Sequence, residues 1–156
     1  MGPPIDPETF RALADAAPIL LWASGPDGGC TYFNQAWVDF TGRPLAAQLG
    51  DGWVESVHPE DREGCLEGYR AAFAARRPFT LEYRLRRHDG AYRWMLDTGA
   101  PREDGEGAFA GYVGVCIDVT ERREAEETTR RSERRFRDFV ETTGQVWWFI
   151  STDYSR

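Results

Sequence analysis

The alternation of apolar and polar positions along this chain changes period several times, and each change predicts an element. Asp6-Pro7 opens a helix, the Asp as cap and the Pro at the first helical position. Phe10, Leu13, Ala14 and Ala17 make its apolar stripe, and Pro18 ends it. Ile19 to Ser24 reads as a short buried strand and Gly25-Pro26-Asp27-Gly28-Gly29 as a turn, with Cys30 to Phe33 returning as the second strand of a hairpin. Asn34 then caps a helix through Trp37, Val38 and Phe40, which Gly42 stops.

Residues 43–59 read as short helical pieces with Leu45, Leu49, Trp53, Val54 and Val57 facing inward. His58-Pro59-Glu60-Asp61 predicts the start of a longer helix, its two carboxylates favourable in the first turn. Cys65, Leu66, Tyr69, Ala72 and Phe73 share one face of it, and Pro78 closes the segment. Next, Phe79, Leu81, Tyr83 and Leu85 alternate with polar residues, as in a half-buried antiparallel strand. His88-Asp89-Gly90 is a hairpin turn. Ala91 to Thr98 forms the next strand, with Tyr92, Trp94 and Leu96 on one face, and Gly99 to Gly107 loops back.

The last change of period is the sharpest. From Phe109, odd-numbered residues through Val119 lie on one strand face, while Ala110, Tyr112, Gly114, Cys116 and Asp118 lie on the other. At Asp118-Val119-Thr120-Glu121 the strand gives way to a charged helix, with Asp118 or Thr120 as cap and Glu121 reaching back. Ala125, Thr129, Ser132, Phe136, Phe139 and Thr143 then follow coiled-coil spacing, a weak seam of mostly small and polar residues. The order of elements predicts an α+β domain, one antiparallel sheet with helices on one face.

Composition narrows the function. The chain is 41% hydrophobic and 13% aromatic, enough for a real core. Its net charge of −7 disfavours a nucleic-acid partner. The helix at 121–137 mixes seven Arg with five Glu and so reads as a solvated face. Cys30, Cys65 and Cys116 are widely spaced, which disfavours a zinc site or a disulfide framework and fits a reducing cytoplasm. No apolar run reaches the roughly 20 residues of a membrane span, and no nucleophile–base pair, metal-spaced His or phosphate loop marks an enzyme.

Several motifs occur in order: Tyr32-Phe33-Asn34, Trp37, Phe40-Thr41-Gly42, Trp53, Val57-His58-Pro59-Glu60-Asp61, Phe79 to Tyr83, His88-Asp89-Gly90, Tyr92-Arg93-Trp94, Gly111, Gly114 and Asp118-Val119-Thr120-Glu121. Together, across about residues 10–121, they resemble a PAS domain of the PAS-3-like subtype with its C-terminal PAC half. The resemblance implies a five-stranded antiparallel sheet that receives a ligand, cofactor or partner and passes the change into a C-terminal helix. It assigns Asp118, Thr120 and Glu121 to the signal junction. A ligand pocket would be lined by Trp37, Phe40, Trp53, Tyr69, Phe73, Tyr83, Trp94 and Cys116, although core packing explains each of these residues too. Asn34 reads as a cap, His58 as part of a helix start, His88 as solvated and Trp94 as core.

The light-oxygen-voltage flavin adduct resembles N-C-R-F-L-Q around its Cys, whereas Cys65 lies in Arg62-Glu63-Gly64-Cys65-Leu66-Glu67. Haem would need a His on the long helix, and residues 60–77 hold none. Both are disfavoured; a non-covalent flavin, a small organic ligand or no ligand stays open. No metal is expected.

Phe10-Arg11-x-Leu13-x-Asp15 recurs as Phe136-Arg137-x-Phe139-x-Glu141, with Trp22 and Asp27 matched by Trp148 and Asp153. This resembles tandem PAS units cut inside the second. The expected divisions are a lead and helix at 1–17, a PAS/PAC core at 18–119, a signalling helix at 120–143 and the first strand of a second unit at 144–156, with the apolar strand 146–150 seeking an edge. The expected function is cytoplasmic signal relay, non-catalytic in this fragment, in a homodimer whose output domain lies elsewhere. A sensor histidine kinase is the first owner implied; a diguanylate cyclase or phosphodiesterase, or a ligand-free interaction module, is the alternative.

Overall fold

The computed structural model describes the backbone of residues 6–153 and the side chains of residues 6–142. The chain forms two units, Met1–Val119 and Thr120–Arg156. The first holds helix α1 (Pro7–Ala16), strands β1 (Leu20–Ser24) and β2 (Cys30–Phe33), helix α2 (Gln35–Thr41), two short 3-10 turns (Leu45–Ala47 and Gly52–Ser56) and helix α3 (Arg62–Ala75). Strands β3 (Phe79–Arg86), β4 (Tyr92–Glu103) and β5 (Phe109–Asp118) complete it. The five strands form one antiparallel sheet in the order β2-β1-β5-β4-β3, so the last strand in sequence lies at the centre.

The sheet packs one face against α2 and α3. Leu20 and Trp22 of β1, Tyr83 and Leu85 of β3, Met95 and Asp97 of β4, and Tyr112 and Cys116 of β5 are buried there. On the opposite face Val113 and Ile117 stay 47% exposed. The alternation expected in β5 is therefore present, and the even-numbered residues point inward. In β4 the inward face is Met95, Asp97 and Gly99 rather than Tyr92, Trp94 and Leu96. The paired register explains this. Tyr83 faces Met95 and Leu81 faces Asp97, so burying the apolar side of β3 carries Asp97 inward with it.

Asn34 is fully buried and does more than cap α2. Its Oδ1 accepts from the Trp37 N–H (3.2 Å) and the Leu21 N–H (3.0 Å), while Nδ2 donates to the carbonyls of Ala14 (2.8 Å) and Ile19 (2.9 Å). One side chain thus ties α1, β1 and α2 together.

Several expectations fail for identifiable reasons. Leu45 and Leu49 are exposed; the inward residue of that segment is Gln48, which accepts from Trp37 Nε1 at 2.7 Å. Helix α3 begins at Arg62, so Glu60 and Asp61 lie before it. Asp61 instead accepts from the backbone N–H and the guanidinium of Arg84, and that pairing holds its carboxyl below the usual range. Strand β4 continues to Glu103, through the segment expected to loop back. Phe10 and Leu13 of α1 are exposed, and only Ala14 is buried.

The second unit is helix α4 (Thr120–Asp153). Residues 146–150 lie within it, not in the strand expected there. A strand needs a neighbour for its backbone N–H and C=O groups, whereas a growing helix satisfies its own, so continuation is the cheaper outcome. Residues 124–142 are all exposed. Among them, Glu126 lies 4.0 Å from Arg122 and 3.8 Å from Arg130, one turn away on either side.

Candidate functional site

Between the inner sheet face and α2 and α3 lies a cavity of about 20 Å³. Its walls are aromatic: Trp22 and Phe33 from the first hairpin, Trp37 from α2, Trp53 from the second 3-10 turn, Tyr69 from α3 and Phe79 from β3. Cys30, Cys65 and Leu81 fill the gaps, and Asp97 supplies the polar wall. The Trp22 indole crosses the sheet over Gly114, where any Cβ would collide with its ring. It stacks near Phe79 at 6.0 Å between ring centroids and meets Tyr69 edge-on at 6.0 Å.

Asp97 sits at the centre of this arrangement, 5% exposed, on the strand between β3 and β5. Its Oδ1 accepts from Trp22 Nε1 at 2.8 Å and its Oδ2 from Tyr83 Oη at 3.0 Å. The Cys116 thiol lies 3.5 Å from the same Tyr83 hydroxyl. Burial pushes the Asp97 carboxyl up from 3.8 to about 6, with the hydrogen bonds from Trp22, Cys116 and Tyr83 opposing the shift. Burial likewise pushes the Cys30 and Cys65 thiols up to about 12 and Cys116 well above its ordinary value. Such thiols stay protonated and are poor nucleophiles. What the cavity offers chemically is one titratable carboxylate inside an aromatic shell.

Of the residues expected in a pocket, Trp37, Trp53 and Tyr69 meet at this cavity. Tyr83 and Cys116 are fully buried in the adjoining core, and Phe40 and Phe73 pack partly buried against it. Trp94 is elsewhere. It pairs across the strands with Arg84, whose guanidinium lies 5.3 Å from its ring, away from the cavity and outside the core where it was expected. Sequence reasoning missed Asp97 because the face of β4 carrying three large apolar residues looked like the inner one. The usable signal was the register with β3, which pairs Leu81 with Asp97.

A flavin does not fit this chain as folded. The cavity holds about one water-sized group, far less than a three-ring system needs.

At the end of β5, Asp118 accepts from Arg93 Nε at 2.8 Å and the Val119 N–H donates to the Trp94 carbonyl at 2.8 Å, both fastening the strand end to β4. Helix α4 begins at Thr120, with Glu121 in its first turn where a negative charge suits the helix dipole. Elsewhere, His58 packs edge-on against Tyr92 at 4.6 Å and accepts from the Glu60 N–H at 3.2 Å. The Gly90 turn closes β3 onto β4, with exposed His88 within it. Among the described residues no cluster of His, Cys, Asp and Glu is placed to hold a metal ion. No described helix is long and apolar enough to cross a membrane.

Comparison with known proteins agrees with this architecture. An uncharacterized protein of Sinorhizobium fredii is 42% identical over 118 residues, which cover 76% of this chain and 14% of that protein. The peroxide stress-activated histidine kinase mak1 of Schizosaccharomyces pombe is 28% identical over 133 residues, 80% of this chain and 8% of that protein. The chain thus spans 8% to 14% of the length of these curated relatives. A solved structure of a sensory box histidine kinase/response regulator from Burkholderia thailandensis superposes with a TM-score of 0.60 at 29% identity, covering 83% of this chain and 98% of that one. The family described as the PAS fold matches residues 31–116, more than half of the sequence. The chain belongs to the PAS fold family.

Proposed function

We propose that this chain is the sensory and signal-relay PAS module of a two-component histidine kinase. It works in the cytoplasm as a homodimer and reports the state of its core through α4. The observation that carries the reading is the course of β5. This strand is central in the sheet, carries Tyr112 and Cys116 into the core, and is separated from α4 only by Val119. A change that favours one packing of the β5 inner face biases the helix that follows it, by no more than the difference in free energy between the two packings. Asp118, Thr120 and Glu121 are the junction residues. The similarity to histidine kinases supports that output class over a cyclase.

The nearly filled core favours a second reading, an interaction module that takes no organic ligand. Both readings share the relay. The test is autophosphorylation of the full-length protein carrying this chain, measured for wild type, Asp118→Ala and Thr120→Ala. The relay reading expects kinase activity whose rate changes at least several-fold in the junction variants. A full-length protein without autophosphorylation would sink the kinase assignment, and unchanged rates in both variants would sink the junction.

A further inference from the structure

Strand register carries Asp97 into the core, but no counter-charge meets it there. Its hydrogen-bond donors, Trp22 Nε1, Tyr83 Oη and the Cys116 thiol, are neutral, and among the described residues no basic side chain forms an ion pair with it. The other polar groups near it are equally uncharged: the thiols of Cys30 on β2 and Cys65 on α3. Asp51 and Asp61 act on Cys30 and Cys65 respectively, and both are acids. A buried carboxylate without a counter-charge is expensive, and three neutral donors compensate only part of that cost. The same carboxylate forms the polar wall of a cavity whose other walls include three indoles and a phenol. Aromatic rings around a point of negative charge complement a cation.

We propose that this cavity is a binding site for a small ammonium-type cation, whose N–H groups donate to Asp97 and whose charge is held among Trp22, Trp37, Trp53 and Tyr69. The inference rests on the reading of the core as the sensing element, and it names the class of group sensed. The cavity volume of about 20 Å³ sets the size, one water-sized cation such as ammonium itself. Position gives the site a route to the rest of the fold. Asp97 is paired in register with Cys116 of β5, and its three donors come from β1, β3 and β5. A cation bound at Asp97 therefore acts on three strands of the sheet besides its own, including the one that runs toward α4.

The test is a titration of the chain with ammonium chloride, with sodium chloride at equal ionic strength as control, read by tryptophan emission. At pH 8, where Asp97 is ionised, a saturable shift is expected with ammonium and none with sodium. At pH 5 most of the Asp97 population is protonated, given its value of about 6, so the apparent affinity falls about tenfold. Asp97→Asn abolishes the response. Should that variant fail to fold, the pH comparison on the wild type still decides. A cavity that holds water only gives no saturable shift at pH 8 and overturns the proposal. So does equal affinity at both pH values, a matching response to sodium, or a response retained in a folded Asp97→Asn. Failure here together with a junction-dependent autophosphorylation rate removes the cation and leaves the relay. Ammonium binding with junction variants that phosphorylate normally keeps the site and removes the relay.

Discussion

The two units of this chain hold their structure by opposite means. Around Asp97, side chains far apart in sequence meet: Trp22 reaches across 75 positions and Tyr83 across 14. Along α4 the Arg122–Glu126 and Arg130–Glu126 ion pairs join residues four apart. So do the hydroxyl bonds of Thr128, Thr129 and Thr142 to preceding carbonyls. The core is therefore a cooperative object that a distant change can disturb. The helix is a modular one, whose residues each add a few tenths of a kcal/mol, on the order of 0.2–0.5 per pair. A sensing element needs the first property and a transmitting rod can make do with the second.

The largest effect should come from the core. Trp37 is 1% exposed and its indole N–H is taken by Gln48 at 2.7 Å. Trp37→Ala should destabilise the chain by about 3–5 kcal/mol, measured from the urea midpoint. A loss below about 1 kcal/mol would mean that the core is not the cooperative unit described. Asn34→Ala comes next. It removes four hydrogen bonds that join α1, β1 and α2 and leaves buried partners unpaired, at a cost of about 3 kcal/mol. Hydrogen exchange should then show early opening of α1 and α2 with β3–β5 still protected. Uniform loss of protection would place the staple at the centre of the fold rather than its edge.

Asp97 gives a smaller effect with a sign that depends on pH. Its folded value, about 6, lies above the ordinary 3.8, so the folded state holds the proton more tightly than the unfolded chain. The contribution is fully present below pH 3.8 and is lost as pH rises through about 6, in total about 3 kcal/mol. Asp97→Asn has no carboxylate to ionise; its carbonyl can accept from Trp22 while its amide donates to Tyr83. The variant should match wild type near pH 4 and exceed it by about 2 kcal/mol at pH 8. Asp61 runs the other way, since Arg84 lowers its carboxyl and that support is lost as pH falls. Only the difference between variant and wild type therefore isolates Asp97. A variant no more stable than wild type at pH 8 would mean that the buried charge carries no penalty.

How much of this was readable from the sequence follows the same division. The helix caps at Asp6 and Asn34, the Gly42 stop, the alternation in β3 and β5 and the His88-Asp89-Gly90 turn are local signals, and the structure has all of them. The motifs also gave the family. The failures are non-local. Asp97 becomes an inner residue through its pairing with Leu81, and Gln48 turns in because Trp37 needs an acceptor; neither partner is visible from local periodicity. Asp61 lies near a helix start in sequence but is claimed by Arg84 from β3. The strand expected at 146–150 was read from its resemblance to β1, which in the folded chain has β2 and β5 as neighbours. Without such neighbours the same apolar pattern continues the helix.

The smallest effect on stability tests the largest claim about α4. Phe136 is 70% exposed and Phe139 67%, two large apolar groups on a helix whose other described side chains in that region are mostly charged. Replacing both with Glu removes no side chain from the core of the first unit. The urea midpoint of that unit should then move by less than about 0.5 kcal/mol. If α4 pairs with its copy along the seam that includes these residues, the same double variant places like charges in the interface, where apolar contact was the main attraction. Sedimentation should then show a wild-type dimer and a monomeric variant at equal concentration. A wild type that is monomeric, or a variant that stays dimeric, would remove α4 as the pairing element. The comparison would then sharpen differently: the exposed Val113 and Ile117 on the outer face of β5 would become the surface to mutate next.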